Sequence, residues 1–420
     1  MTTNSKCIAT TRCRFATSFE ELHGIGTAVV LYSGGVDSTH AVFKLAKMGI
    51  RVVAFHAIIG SKDTEHSRRV SRNAKKFGAE FVEHDLRKKF ADDYISPAIR
   101  SDARYFGVFP VCSSLSRPLI AEAGVRLAES CSADALVHCS TWVQNSGARF
   151  NRTIHACNPN LVIATPYASN SIDREEKCSE LVSNGISVSE ASIFSVDANL
   201  WGRVIEAGEL DDPANPIPEG VFQWTRSEID TVPEIVVDMR FENGVPIALD
   251  GKNMELLDLI EFLNIEGGRR AIGRFNGLED TPVEFGGIKN HEVREAPAAD
   301  VIFRAREQLV LATLTQRENC AMAHACSEWT RLVVNGHWKS PLREANQLLI
   351  GRLSKLVNGN VRMVLKQNMA FPLSIKSESS PSYWNVRKDF EKSLQKIEVS
   401  ALLEMATSTE RLRSKTPQIR

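Results

Sequence analysis

The stretch Ala28-Val29-Val30-Leu31-Tyr32-Ser33-Gly34-Gly35-Val36-Asp37-Ser38-Thr39 decides how the chain folds. Its first five residues make a short apolar run of the kind that forms a buried strand. Two glycines follow, which let the backbone turn tightly and bring its N–H groups close to an anion. Ser33, Ser38 and Thr39 add hydroxyl donors. A helical pattern comes next, with Val42, Leu45, Ala46 and Met48 on one face and Gly49 closing it. Such a helix points its positive N-terminal end back at the turn. Strand, turn and helix together predict a cradle for pyrophosphate. Asp37 is out of place in an anion site unless it meets a cation, and Mg²⁺ carried by a nucleotide would supply one.

Outward from this turn, strand and helix signals alternate. Strands are predicted at 52–55, 81–82, 135–138 and 161–164, and a basic helix at 68–77. A further helix is predicted to begin at Pro118, with Leu119, Ile120, Ala123, Leu127 and Ala128 facing inward. This alternation implies a parallel sheet with helices on both faces, and ligands in such folds bind at the carboxyl ends of the strands. The texture changes near residue 186. A loop holding Pro213, Pro216 and Pro218 precedes two strands, 234–241 and 245–249, joined by Asn243-Gly244, a hairpin signal. Helices at 254–264 and 299–313 complete an α+β second part, and 383–403 reads as an amphipathic helix. The expected divisions are an N-terminal extension 1–25, an ATP-binding domain 26–185, a second domain 186–378 and a C-terminal helix and tail 379–420.

Lys+Arg and Asp+Glu both total 51, and this balance argues against a protein whose main work is gripping a nucleic-acid backbone. No apolar run is long enough to span a membrane. The first nineteen residues carry Lys6, Arg12 and Arg14, lack the apolar core of a secretory signal, and are expected to be a frayed extension. Nine cysteines without a CxxC, in odd number, point away from a disulfide framework or zinc site and toward a reducing cytoplasm. Cys112 and Cys139 fall at strand ends facing the expected cleft and read as small buried hydrophobes. His138 reads as a structural histidine.

Ser33-Gly34-Gly35-Val36-Asp37-Ser38 resembles the pyrophosphatase loop (PP-loop) of N-type ATP pyrophosphatases. An ordered series of further strings resembles argininosuccinate synthase, from about Val29 to about Lys376. These are Ser113-Ser114-Leu115-Ser116-Arg117-Pro118-Leu119-Ile120, residues 138–150, 194–203, Ile205-Glu206-Ala207-Gly208, Glu295-Ala296-Pro297 and 332–343. The resemblance implies an α/β fold: an N-terminal parallel-sheet nucleotide-binding domain, adenine nucleotide alpha hydrolase-like, plus an α+β synthetase domain and a C-terminal oligomerisation helix reaching across a homotetramer. It implies ATP and Mg²⁺ as cofactors, small amino acids as substrates, and a two-step reaction. A ureido oxygen of citrulline attacks the α-phosphate, and the amine of aspartate then displaces AMP. Positioning and electrostatic help carry such chemistry, so no covalent enzyme intermediate is needed.

Carried over by position, the ATP site is Leu31, Tyr32, Ser33, Gly34, Gly35, Val36, Asp37, Ser38, Thr39, Ala57 and Cys139, the last in place of a glycine. The amine side is Ser113, Thr141, Asn145 and Ser146, with Ser146 where the family has aspartate. The acceptor side is Phe109, Ser114, Asn145, Arg149, Ser195, Val204, Glu279 and Arg294. Asp37, Ser38, Asn145 and Arg149 are the expected catalytic set. Phe109 and Arg294 stand for tyrosines and Val204 for a serine, and each lost hydrogen bond forfeits about 0.5–1.5 kcal/mol. Trp142 and Val143 replace a glycine and a lysine. Arg294 would either greet a carboxylate or pair with Glu206 or Glu279. These departures suggest a paralogue with an altered acceptor, amine donor or both. The alternatives are a tRNA-thiolating enzyme with a reactive cysteine and a nucleotide-binding pseudoenzyme.

Overall fold

The computed structural model describes residues 14–141, 145–169, 171–186, 194–226, 232–281, 286–380, 387, 391 and 399–407. In its N-terminal half, β1 (Phe15–Ala16) precedes β2 (Thr27–Leu31), α1 (Val36–Lys47), β3 (Arg51–Ile58), α2 (Thr64–Lys76) and β4 (Glu80–Asp85). Next, α3 (Arg87–Phe90) runs through a π turn into α4 (Ser96–Arg100) and a small hairpin, β5 (Arg104–Tyr105) and β6 (Phe109–Pro110). Then come α5 (Ser113–Ser130), β7 (Ala135–Val137), α6 (Asn145–Cys157), β8 (Val162–Ala164) and α7 (Arg174–Ser183).

Six of these strands form one parallel sheet in the order β1-β8-β7-β2-β3-β4. The chain moves from β2 to one side and later returns to the other, so the switch point lies between β2 and β7, where ligands bind in open α/β sheets. The unbroken apolar run of β2 has a physical reason. Ala28 and Val30 pack with Val42 and Leu45 of α1, while Val29 and Leu31 pack with α5 and α6 on the opposite face.

Two expectations need correction. Residues 14–19 are not frayed, because Phe15–Ala16 pair with Ile163 and Ala164 and extend the sheet, with Ala16 and Leu22 buried. Pro118 does not begin its helix either. The helix starts at Ser113, and Pro118 stands inside it.

The C-terminal half holds two antiparallel sheets. One, ordered β14-β15-β10-β9, is built from β9 (Ser195–Asn199) and β10 (Gly202–Glu206) with β14 (Arg274–Asp280) and β15 (Lys289–Glu295). The other, ordered β13-β12-β11-β16-β17, joins β11 (Ile235–Glu242), β12 (Val245–Leu249) and β13 (Lys252–Asn253) to β16 (Gly359–Lys366) and β17 (Met369–Lys376). Asn243 and Gly244 both take positive φ, 50° and 75°, as the Asn-Gly hairpin signal requires. The helices are α8 (Leu256–Arg269), α9 (Pro297–Thr313), α10 (Gln316–Val334), α11 (Pro341–Ser354) and α12 (Val399–Ala406).

One buried cluster joins Phe90, Tyr94, Ile95, Leu115 and Leu119 to Trp201, Leu259, Val301 and Trp329, so the second half packs directly on the first. Glu295 of the Glu295-Ala296-Pro297 string is fully buried. It accepts from the backbone N–H groups of Gln223, Trp224 and Thr225, from the Thr225 hydroxyl and from Arg203. Its role is to hold that loop against the sheet. Most of the predicted helix 383–403 lies outside the described residues.

Candidate functional site

The turn after β2 lies at the carboxyl end of the central strand. Gly34 has φ +79°, and a side chain there would collide with Val70 of α2, so both its conformation and its neighbour require glycine. The loop's own hydroxyls are engaged with one another: Ser33 Oγ and Ser38 Oγ lie 3.2 Å apart, the Gly35 N–H donates to Ser33 Oγ at 3.3 Å, and Ser38 Oγ donates to the Gly35 carbonyl. The cation that Asp37 was expected to meet is partly supplied by the protein. Lys177 of α7 donates to Asp37 Oδ1 at 2.8 Å. The side chain of Asp37 is 47% exposed.

A cavity of about 800 Å³ runs from this loop to the C-terminal half. Of the expected nucleotide residues, Leu31, Tyr32, Ser33, Gly35, Val36, Asp37, Ser38, Ala57 and Cys139 line it, and so do Ser113, Asn145 and Ser146 of the expected amine side. Among the acceptor residues Asn145, Arg149, Ser195, Val204 and Glu279 line it. Gly34, Thr39, Ser114, Thr141, Phe109 and Arg294 are not among its lining residues. Trp142 and Val143 lie outside the described residues.

At the acceptor end, Arg149 donates to the Val334 carbonyl at 2.8 Å and to Glu279 Oε1 at 2.5 Å. Asn145 Nδ2 donates to Glu279 Oε1 at 3.1 Å and to the Asp280 carbonyl at 2.9 Å. Arg294 lies behind them, pairing with Glu279 Oε2 at 2.7 Å and with Glu292, and donating to the Pro110 carbonyl. Its guanidinium carbon sits 4.0 Å from the centre of the Phe109 ring. Arg294 therefore pairs with Glu279 as expected, but its second partner is Glu292 and not Glu206. Burial works against the charge of Glu279, yet Arg149 and Arg294 override it and hold the carboxyl below the usual range. Burial pushes Glu292 up to about 7, with Glu279 and Glu206 adding to the rise against Arg294. Glu206 is raised by burial too, against a hydrogen bond from Ser195 Oγ at 3.3 Å.

Between the two ends lies a pair that no sequence signal marked as a unit. Arg117 grips Asp197 with two nitrogens, at 2.8 and 3.3 Å, and also donates to Ser146 Oγ at 3.2 Å. Ser113 Oγ donates to Asp197 at 2.5 Å. Burial opposes the charge of Asp197, but Arg117 and Ser113 prevail and keep it ionised. Both residues fall inside strings that carried the resemblance, yet 80 positions separate them.

Burial pushes the Cys112 thiol up to about 12 and raises Cys139 further still, so neither is poised as a thiolate nucleophile. Burial pushes His138 down to about 4, and its Nε2 meets Asn151 Oδ1 at 2.8 Å. It is neutral at ordinary pH, and it lines the cavity. Among the described residues no group of three or more His, Cys, Asp or Glu could hold a metal. The half-exposed Asp37 fits a Mg²⁺ that arrives with phosphates, since that ion needs only one or two protein carboxylates.

A glycine-bearing turn at the switch point of a parallel sheet, under a polar cavity closed by an α+β half, defines an α/β protein that takes its ligand at that turn. Residues 27–187 match the family model described as the arginosuccinate synthase N-terminal HUP domain, and residues 194–405 match that of the C-terminal domain. The chain belongs to the argininosuccinate synthase family. It is 38% identical to the argininosuccinate synthase of Pyrococcus furiosus, covering 84% of this chain and 85% of the relative. The corresponding protein of Pyrobaculum aerophilum is 36% identical, covering 81% and 86%, and that of Oenococcus oeni 36%, covering 84% and 87%. A solved 4-thiouridine synthetase–RNA complex with bound ATP gives a TM-score of 0.29 at 16% identity over 38% of this chain and 41% of that one.

Proposed function

We propose that this protein is an AMP-forming carbon–nitrogen ligase whose acceptor, amine donor or both differ from citrulline and aspartate. In the first step a ureido or similar carbonyl oxygen attacks the α-phosphorus of ATP. The bond from that phosphorus to the bridging oxygen breaks, and pyrophosphate leaves with the electron pair. In the second step the amine of aspartate or a related amino acid attacks the activated carbon, and AMP departs. The observation that carries this reading is the single cavity joining the phosphate loop to the Arg149–Glu279–Asn145 cluster. Arg149 and Asn145 would orient the acceptor, and the hydroxyls of Ser33 and Ser38 would turn from each other to the phosphates. A Mg²⁺ held by Asp37 and the nucleotide would supply charge neutralisation of the tail.

The altered pocket supports a change of substrate. Arg294 occupies one face of Glu279, the carboxylate expected to serve the acceptor. Ser146 hydrogen-bonds Arg117 and cannot hold an ammonium as a carboxylate would. The raised thiols of Cys112 and Cys139 count against a sulfur-transfer enzyme. We further propose a homotetramer in the cytoplasm. Among the described residues no helix is long and apolar enough to cross a membrane, and seven free cysteines fit a reducing compartment.

The test is ATP–pyrophosphate exchange across a panel of ureido, guanidino and carboxylate acceptors, followed by AMP release with a panel of amines. The proposal expects exchange with an acceptor other than citrulline, or ligation with an amine other than aspartate. Efficient turnover with citrulline and aspartate alone removes the altered specificity. No exchange with any acceptor, despite ATP binding, favours the pseudoenzyme.

A further inference from the structure

The buried cation at the phosphate loop has a chemistry that packing alone does not require. Lys177 lies on the first turn of α7, 140 positions from Asp37, and its side chain is 9% exposed. Its Nζ sits 4.1 Å from the centre of the Tyr167 ring and 2.8 Å from Asp37 Oδ1. An ammonium has three N–H donors. One goes to Asp37, the Tyr167 face receives the cation, and no other acceptor meets it among the described residues. Burying an ammonium carries a desolvation penalty of several kcal/mol, about what one well-placed anion can offset. Here the anion is half exposed, a weak match for so buried a cation.

Docking of α7 on α1 does not explain the lysine either. His40 already joins the two helices by donating from Nε2 to Glu180 at 2.9 Å, with Lys44 3.7 Å from the same carboxylate. His40 also meets the Tyr167 hydroxyl at 2.8 Å, and that hydroxyl donates to the Asp37 carbonyl at 3.2 Å. Tyr167 is thus fixed from behind, and Lys177 is held between its ring and Asp37, which lines the cavity while Lys177 stands behind it. Arg174, one helical turn earlier, lines the same cavity and has no ion-pair partner among the described residues.

We propose that Lys177 is a resident ligand for the β- and γ-phosphates of ATP and for the departing pyrophosphate, parked on Asp37 until the tail arrives. When the nucleotide enters, the ammonium leaves Asp37 for phosphate oxygens and the carboxylate becomes free to meet Mg²⁺. Lys177 donates hydrogen bonds throughout and transfers no proton. Arg174 flanks it as a second cation toward the solvent side. This inference rests on the ATP-binding reading but not on the identity of the acceptor.

The experiment is calorimetric titration of the full chain with AMP, ATP and inorganic pyrophosphate, each with and without Mg²⁺. Lys177→Met is expected to weaken ATP and pyrophosphate about tenfold or more, the size of one charge-assisted hydrogen bond, and to leave AMP unchanged. Lys177→Arg should recover part of the loss. Asp37→Asn removes the parking carboxylate and its repulsion, so metal-free pyrophosphate should bind as well as before or more tightly. Equal losses for AMP and ATP in Lys177→Met would assign the lysine to the scaffold and overturn the proposal. So would unaltered pyrophosphate affinity in that variant, or weakened metal-free pyrophosphate binding in Asp37→Asn. Should the unaltered protein bind no ATP, the ligase reading itself falls. Should it bind ATP with these variant effects but adenylate nothing, the ligase reading falls and the role of Lys177 stands.

Discussion

Glu292 holds its proton into a range where other carboxylates have lost theirs. Three carboxylates, Glu206, Glu279 and Glu292, share one end of the cavity, and Arg149 and Arg294 supply only two cations. Glu279 meets both guanidinium groups and stays charged, whereas Glu292 shares only Arg294 and is the more strongly raised by burial. Its ordinary value is 4.5, and burial raises it to about 7. Across that interval the native state binds more protons than the unfolded chain, so this residue's contribution to stability falls as pH rises and is fully lost above about pH 7. Asp197 and Glu279 are depressed and act in the opposite sense, losing their contribution as pH falls. A glutamine at 292 cannot ionise. In Glu292→Gln the melting temperature relative to the parent should therefore shift upward between about pH 5 and about pH 8, because the parent alone loses a proton at 292 across that interval. A difference that does not move with pH would show that Glu292 titrates normally.

At the scale of elements, three of the departures expected from the resemblance, at 109, 204 and 294, lie together although they are separate along the chain. Val204 of β10 and Arg294 of β15 are partners in the strand register, and Phe109 of β6 lies under the guanidinium. An apolar side chain at 204 and a ring without a hydroxyl at 109 make the apolar surroundings that a planar cation stacks against. Counting three lost hydroxyls misses this compensation. The turn after α10 matters equally, because it sets where α6 and Arg149 stand. Gly336 has φ +77°, and a Cβ there would lie 2.9 Å from the Cα of Arg149. Gly336→Ala is expected to destabilise the fold by about 1–3 kcal/mol and to push α6 away from Glu279. Nucleotide affinity should persist, because the phosphate loop belongs to β2 and α1, while acceptor-dependent pyrophosphate exchange should drop. Parallel loss of both in calorimetry and exchange would place the turn in the general scaffold. The same contrast explains what sequence could reveal. The phosphate loop, the parallel strands and the Asn243-Gly244 hairpin were legible because each is decided within about a dozen consecutive residues. The start of α10 carried a readable capping box in Thr315 and Glu318. Lys177 with Asp37, and Arg117 with Asp197, were not legible. Each pair is created by the topology across 140 and 80 positions: Asp37 is marked locally as an acid in need of a cation, but nothing local names the partner of either carboxylate.

For the whole molecule, the five-stranded sheet ends on β17, an edge strand that monomers rarely leave as it stands here. Met369, Phe371, Leu373 and Ile375 are 43%, 53%, 50% and 40% exposed. A long edge strand with this much apolar surface is a template for pairing with another chain, and soluble proteins blunt such edges unless they use them. Leu403 and Met405 of α12 are exposed as well, at 61% and 74%. The proposed homotetramer would cover both surfaces, with the C-terminal helix of one subunit laid against the sheet of another. Neither contributes a residue to the lining of the cavity, so assembly and nucleotide binding should separate. Phe371→Lys combined with Leu373→Lys is expected to lower the mass measured by sedimentation velocity to smaller species while ATP still binds with its original affinity. If the unaltered protein already sediments as a monomer at micromolar concentration, the edge has some other cover and the homotetramer is excluded. If instead the double variant stays assembled, β17 does not form the interface, and the copies meet through another face.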